Sequence, residues 1–278
     1  MNTIKSILFF TVGLFLITGC SDDDDNKDPQ GTDNTNNYFP LAVDNTWEYE
    51  NTLVINDQDP DSYEDLLTVE SENQGNYQLS SSVGDPLFGF TTGLLSSGTI
   101  TKEENIVRYN GALEVSLPNL DDISITITNA TILNPSAGND AELYVQGGSQ
   151  PVSIPIDNNN SLNATLNFTI TTEQTGSQEN ITVNQQTFED IVISTLFINI
   201  EVSLDDFGDF VILTAADVIV SSNYFAKDIG LVFSNTETNY RLNDFGIIDL
   251  PFDTTYDSTL TQELESYTAE EDQDNEED

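Results

Sequence analysis

Leu162-Asn163-Ala164-Thr165-Leu166-Asn167-Phe168-Thr169-Ile170-Thr171 alternates apolar and polar side chains without a break. A period of two sends successive side chains to opposite faces of an extended chain, so the stretch reads as a strand with one face on a core and one in water. Ile123, Ile125 and Ile127 alternate in the same way with Ser124, Thr126 and Thr128, as do Leu113, Val115 and Leu117 with their neighbours. Leu196, Ile198, Ile200, Val202 and Leu204 make a further row. Ile191 and Ile193 fall in the opposite phase, which predicts a bulge or bend near Ser194-Thr195. Threonine and isoleucine suit a pleated, half-buried surface. No window carries an apolar stripe at helical spacing.

Turn signals separate these runs: Asn110-Gly111, Pro135 to Asp140, Gly147-Gly148, Asp157 to Asn160, and Thr175-Gly176-Ser177. Short strands punctuated by polar turns indicate an all-β, antiparallel fold. Its inner face must be covered, which calls for a curved sheet, a sandwich or a partly closed barrel. The β domain is assigned to residues 38–252. Residues 253–278 thin out in apolar content and close on the run Glu270 to Asp278, which reads as a disordered acidic tail. Leu260 to Tyr267 is a short amphipathic piece in it, expected to pack or to form a turn of helix.

The amino end has its own logic. Lys5 precedes an apolar run from Ile7 to Ile17, and small residues lead to the single cysteine, Cys20. A charged start, a hydrophobic middle and a small-residue cleavage site form a secretory leader over residues 1–19. Its apolar run falls short of the roughly 20 residues a membrane span needs. Ile17-Thr18-Gly19-Cys20 resembles the lipobox of bacterial lipoproteins. That resemblance implies diacylglyceryl and palmitate-type acyl groups at Cys20, with residues 20–37 as a flexible tether. Ser21 followed by Asp22 to Asp25 resembles the signal by which Bacteroidota send lipoproteins to the outer membrane and its exterior face. Several acyl chains give a stable anchor where one does not.

The chain holds 49 acidic and six basic side chains, a formal charge of −43. Such a field repels nucleic acid and anionic head groups and attracts cations. The chain has no histidine. That excludes Ser-His-Asp triads, Cys-His dyads and His-liganded zinc or haem. With Cys20 acylated, thiolate chemistry is excluded as well. A carboxylate-only glycosidase survives as an enzyme alternative.

Three islands resemble a loose group of bacterial surface lipoproteins of unknown role. They are Tyr38-Phe39-Pro40-Leu41 with Asn45-Thr46-Trp47-Glu48-Tyr49, then Thr187 to Val192, and then Tyr224 to Val232 with Tyr240-Arg241-Leu242. The resemblance implies a curved antiparallel sheet and no catalytic residues. Asp44 and Asp228 stand where the group has glycine, and aspartate tolerates left-handed turns better than most residues. Trp47 and Tyr49 read as core anchors of the first strand, with a sugar-stacking platform as the alternative. Gly230 reads as relief for a turn, and Lys227 as a member of a structural ion pair.

Asp57, Asp59, Asp61 and Asp65 space oxygens along one loop as a hard cation such as calcium requires. The spacing is degraded: Ser62 replaces the usual glycine and Thr68 the bidentate acid. Asp253-Thr254-Thr255 and Asp257-Ser258-Thr259 resemble short O-glycosylation acceptors on an exposed tail. The expected role is a lipid-anchored envelope module that binds a glycan, an envelope polymer or a partner protein. A purely structural or adhesion component is the alternative beside the glycosidase.

Overall fold

A computed structural model describes residues 37–84, 87–115, 123–157, 160–205, 210–243 and 254–269. The leader, Cys20 and nearly all of the tether lie outside them. Twelve strands and one short helix follow in chain order: β1 Thr46–Ile55, β2 Asp61–Asn73, β3 Asn76–Ser81, α1 Phe90–Ser96, β4 Gly98–Glu103, β5 Ile106–Val115, β6 Ile123–Leu133, β7 Ala141–Asp157, β8 Asn160–Val183, β9 Gln186–Leu204, β10 Phe210–Ala226, β11 Gly230–Arg241 and β12 Thr255–Thr268. All strands join one antiparallel sheet ordered β6-β5-β4-β3-β2-β1-β12-β11-β10-β9-β8-β7. Chain neighbours are sheet neighbours throughout except β6 and β7, which form the two edges, and β12 also returns to pair with β1 over Thr46↔Thr268 to Ile55↔Ser258.

The sheet curls until its two edge strands, β6 and β7, approach each other and form a nearly closed barrel. An open edge exposes unpaired backbone groups. Here side chains satisfy several of them. Gln146 Nε2 donates to the Thr126 carbonyl at 2.9 Å. Thr172 Oγ1 donates to Thr131 O and Ser194 Oγ to Ile132 O, both at 2.6 Å. The seam is thus stapled by side chains where a closed barrel would use a ladder.

The alternating rows point inward as predicted. Leu162, Ala164, Leu166 and Ile170 are buried on β8, Leu196 to Leu204 at every second residue on β9, and Ile123, Ile125 and Ile127 on β6. The bulge lies across the ladder from its predicted place. Gln174 pairs with Ser194 and Gly176 with Ile193, so the extra residue is Thr175 of β8.

Three predicted turns prove to lie within strands. Asn110-Gly111 is a register shift inside β5, Gly147-Gly148 runs through β7, and Thr175-Gly176-Ser177 is the β8 bulge. Gly111 is needed for space: a Cβ there would sit 2.3 Å from the Tyr109 hydroxyl, which lies across the strand.

The carboxyl-terminal assignment requires correction. Residues 255–268 form β12, which is wedged between β1 and β11 near the middle of the sheet. The β domain therefore runs past 252 at least to residue 269. Tyr256, Ser258, Leu260, Gln262 and Leu264 face the interior. Ser258, in the second proposed glycosylation acceptor, is buried, whereas Thr254 in the first is exposed.

The three sequence islands meet at one corner of the barrel. Trp47 Nε1 donates to Ile229 O at 2.6 Å, and the Tyr49 hydroxyl donates to Leu231 O at 2.9 Å. The Phe39 ring packs on Trp47 and on Phe225 at centroid distances of 5.4 and 5.8 Å. The Lys227 amide donates to Asp190 O, and the Asp228 amide to Asn37 O. Trp47 and Tyr49 are fully buried, so they anchor the core and form no sugar-stacking platform. Asp44 and Asp228 have φ of 72° and 60°, the left-handed geometry expected of them. Gly230 has φ of 110°, and a Cβ there would lie 3.0 Å from Trp47 Nε1. Its absence of a side chain serves both the turn and the tryptophan. Among the described residues the resolved ion pair joins Arg108 to Glu103 at 2.6 Å, and it does not involve Lys227.

Candidate functional site: a polar belt beneath a helical plug

Six strands carry a polar residue where their inward row should be apolar. On β1 the row reads Trp47, Tyr49, Asn51, Leu53, and on β12 it reads Leu260, Gln262, Leu264. The sheet register lines these interruptions up. Asn51 is paired with Gln262, Gln262 with Ser234 of β11, Ser234 with Asn223 of β10, and Asn223 with Ser194 of β9. Ser194 is in turn paired with Gln174 of β8. Asn51, Gln262, Ser234, Ser194 and Gln174 are all buried. A belt of carboxamides and hydroxyls thus crosses the inner wall on six adjacent strands. Ser221 and Thr236 lie beside it, also buried.

Buried polar groups are costly unless each finds a partner. The partner for much of this belt is the segment Leu87–Ser97, which fills the barrel and contains α1. Seven residues are too few for a helix to persist alone. Gly89 at its amino end offers no side-chain cap, and α1 is held by burial of Phe90, Thr91, Thr92 and Leu95. The Thr91 hydroxyl donates to Asn223 Oδ1 at 2.8 Å and lies 2.8 Å from Ser234 Oγ and 3.2 Å from Ser221 Oγ. The Thr91 amide donates to Gln262 Oε1 at 3.0 Å, and Gln262 Nε2 donates to Thr92 Oγ1 at 2.9 Å. Asn51 Nδ2 donates to the Phe88 carbonyl at 2.8 Å.

Asp65 of β2 adjoins the belt. It is 1% exposed and faces no basic side chain in any resolved ion pair. Its Oδ1 accepts from Ser81 Oγ, Ser82 Oγ and the Val83 amide at 2.8, 3.1 and 3.2 Å. Its Oδ2 has no hydrogen-bond partner. A Cβ on Gly89 would stand 3.1 Å from that oxygen, so the bare glycine backbone covers it. Gln174 Oε1 is the second partnerless buried oxygen among the described residues. Burial, and next the negative charge of Asp65, push the Tyr49 phenol well above its usual range.

Of the cation ligands expected from sequence, Asp57, Asp59 and Asp61 are exposed in and beside the β1–β2 turn, and Asp57 has φ of 58°. Asp65 sits four residues farther along β2 and points into the barrel. At a strand rise of about 3.3 Å per residue it is about 13 Å from Asp61 along the chain. The structure therefore does not gather the four carboxylates, and no cluster of three metal-ligating acids occurs among the described residues. Cys20 lies outside the described residues.

The belt escaped sequence reading although its signal is present. Asn51 is a lone polar residue in an otherwise apolar row, whereas Asn223, Ser234, Gln174 and Gln262 share their rows with Ser221, Thr236, Thr172 and Ser258. Only the register reveals that they share one level of the barrel.

No protein-family model matches this chain, and no curated protein is similar to it. A solved structure of a candidate lipoprotein from Parabacteroides distasonis aligns with 84% of this chain and 99% of that one, at 16% identity and a TM-score of 0.37.

Proposed function

We propose that this protein is a lipid-anchored envelope component, tethered through Cys20 at the outer membrane and facing the cell exterior. Its barrel serves there as a binding module for a glycan, an envelope polymer or a partner protein. The anchor rests on the leader and lipobox. The observation that carries the binding role is the belt: carboxamides and hydroxyls concentrated on one inner level, the groups that recognise neutral polar molecules. It favours binding over catalysis. A glycosidase needs two carboxylates a set distance apart, and the carboxylate at the belt is Asp65. The negative surface favours neutral or cationic partners over nucleic acid.

Two measurements test this reading. Cys20→Ala should release the protein from the membrane fraction and abolish labelling by radioactive palmitate; retention with label intact would remove the anchor. Saturable binding of the purified full chain on a glycan array supports the module. Absence of binding to glycans, with capture of an outer-membrane protein instead, would redirect it to a partner protein.

A further inference from the structure

The strongest unexplained feature is that the interior is lined for polar recognition and then occupied by the chain itself. Leu87–Ser97 meets the wall at the belt largely through hydroxyls and backbone amides. The Thr91 hydroxyl has three belt side chains around it, and the Thr92 hydroxyl accepts from a fourth. These are the contacts a sugar hydroxyl makes when held by Asn, Gln and Ser. The wall also offers acceptors that the segment leaves unused, Asp65 Oδ2 beneath Gly89 and Gln174 Oε1 farther round the belt. A packed structural core has little reason to retain either, since each unmet buried acceptor costs about 1–3 kcal/mol.

Three small clefts border the segment. A cleft lies between Phe90 and the wall at Leu53, Val115, Ile219 and Leu260. A second runs along Gly93, Leu94 and Ser97 beside Leu113 and Glu114. A third separates Thr91 and Leu95 from Ile132, Ser194, Asn223 and Phe225. This third gap holds about 30 Å³, room for a water or two and none for a sugar while the segment is seated.

We propose that Leu87–Ser97 is a displaceable plug, and that the belt of Asn51, Gln262, Ser234 and Asn223 with Asp65 beneath it is a binding site for a neutral, hydroxyl-rich ligand of the oligosaccharide class. The wall offers both donors and acceptors, as hydroxyl groups require, and the surrounding field rejects anions. The Thr91 and Thr92 hydroxyls hold the places of ligand hydroxyls in the closed state. Plug and ligand compete for the same hydrogen bonds, and unseating the plug also exposes Phe90 and Leu95, so the open state is the minor one. The apparent affinity is lowered by the fraction of time the plug is seated. The inference rests on the binding half of the function proposed above and not on the lipid anchor.

The test is a reversible lock. Thr91 Oγ1 and Ser234 Oγ lie 2.8 Å apart, close enough for Thr91→Cys/Ser234→Cys to form a disulfide from plug to wall. The full chain is assayed reduced and oxidised, with bridge formation verified by mass, against maltose, cellobiose, mannobiose and N,N′-diacetylchitobiose. Binding of at least one in the reduced form, lost at least tenfold on oxidation and restored by reductant, is the expected result. Equal binding in both forms would place the ligand on the outer surface, overturning the plug while leaving the module reading intact. Binding in neither form, with the wild-type chain also silent, would overturn the oligosaccharide site and leave the module reading to a polymer or protein partner. Asn51→Leu/Gln262→Leu provides a second route should the cysteine pair fail to fold. The Phe88 carbonyl, the Thr91 amide and the Thr92 hydroxyl lose their wall partners in this variant, so a lowered but still cooperative melting transition with lost disaccharide binding is expected. Retained binding in that variant would overturn the site.

Discussion

Two parts of the barrel wall obey the same alternating rule and solve burial differently. On β9 the inward row Leu196, Ile198, Ile200, Val202, Leu204 is apolar at every step, and on β8 Leu162, Ala164 and Leu166 oppose it in the same manner. That region excludes water by fit alone. On β1, β12, β11 and β10 the inward rows are broken at one level by Asn51, Gln262, Ser234 and Asn223, and closure there depends on hydrogen bonds to the plug. Apolar contacts have no substitute in water. Polar ones do, because water or a ligand can take either side of each bond. The dry region is therefore the permanent part of the fold, and the belt is the exchangeable part.

Substitutions can break or sharpen this contrast. The largest effect is expected at the corner that joins the first strand to the β10–β11 turn. Trp47→Ala removes a fully buried indole and its bond to Ile229, and should cost about 4 kcal/mol in denaturant unfolding. Ile200→Ala, in the dry region, should cost about 3 kcal/mol with no change in disaccharide binding. Gln262→Ala strands the Thr91 amide and the Thr92 hydroxyl together. It should cost about 2 kcal/mol, with the loss concentrated in local opening of Leu87–Ser97. An equal loss of exchange protection in β9 would erase the distinction between the two regions.

Tyr49→Phe is expected to cost about 1 kcal/mol at neutral pH, because Leu231 O loses its donor. Its pH dependence gives a finer test. The folded protein holds the phenol proton more tightly than the unfolded chain, whose tyrosine ionises near pH 10. Above about pH 10 the unfolded state binds fewer protons than the native state, so stability falls as pH rises. That contribution is fully present below the unfolded value. The phenylalanine variant should show a shallower alkaline decline, and identical slopes would contradict the burial of Tyr49. Val145, exposed on the β7 edge, should accept threonine within about 0.5 kcal/mol by the same unfolding assay.

The dry region was legible in the sequence because its alternation runs unbroken from Leu162 to Thr171 and from Leu196 to Leu204. The core role of Trp47 and the left-handed turns at Asp44 and Asp228 were legible for similarly local reasons. β12 was not. Its inward row mixes Ser258 and Gln262 with Leu260 and Leu264, and its outward row is acidic and threonine-rich, so it resembled the solvated tail that follows it. α1 was hidden because two turns with two threonines and Gly93 carry no helical stripe; tertiary burial supplies what propensity lacks. The glycine pairs misled because the same residues that permit turns also permit bulges and close crossings, as at Gly111 beneath Tyr109. The four aspartates of the β1–β2 turn suggested a loop, but β2 begins at Asp61 and carries Asp65 to the interior. The belt could not be seen at all from single strands, since it exists only through the pairing of residues up to 211 positions apart.

Amide hydrogen exchange of the full chain, resolved by segment, tests the central claim most directly. A plug that meets a permanent barrel through exchangeable bonds beside the apolar contacts of Phe90 and Leu95 should open on its own, so amides across Leu87–Ser97 should exchange by a local opening below the global unfolding free energy, while those of β1, β9 and β12 exchange only with it. Equal protection of the segment and those three strands would show the interior to be one indivisible core and would contradict the account.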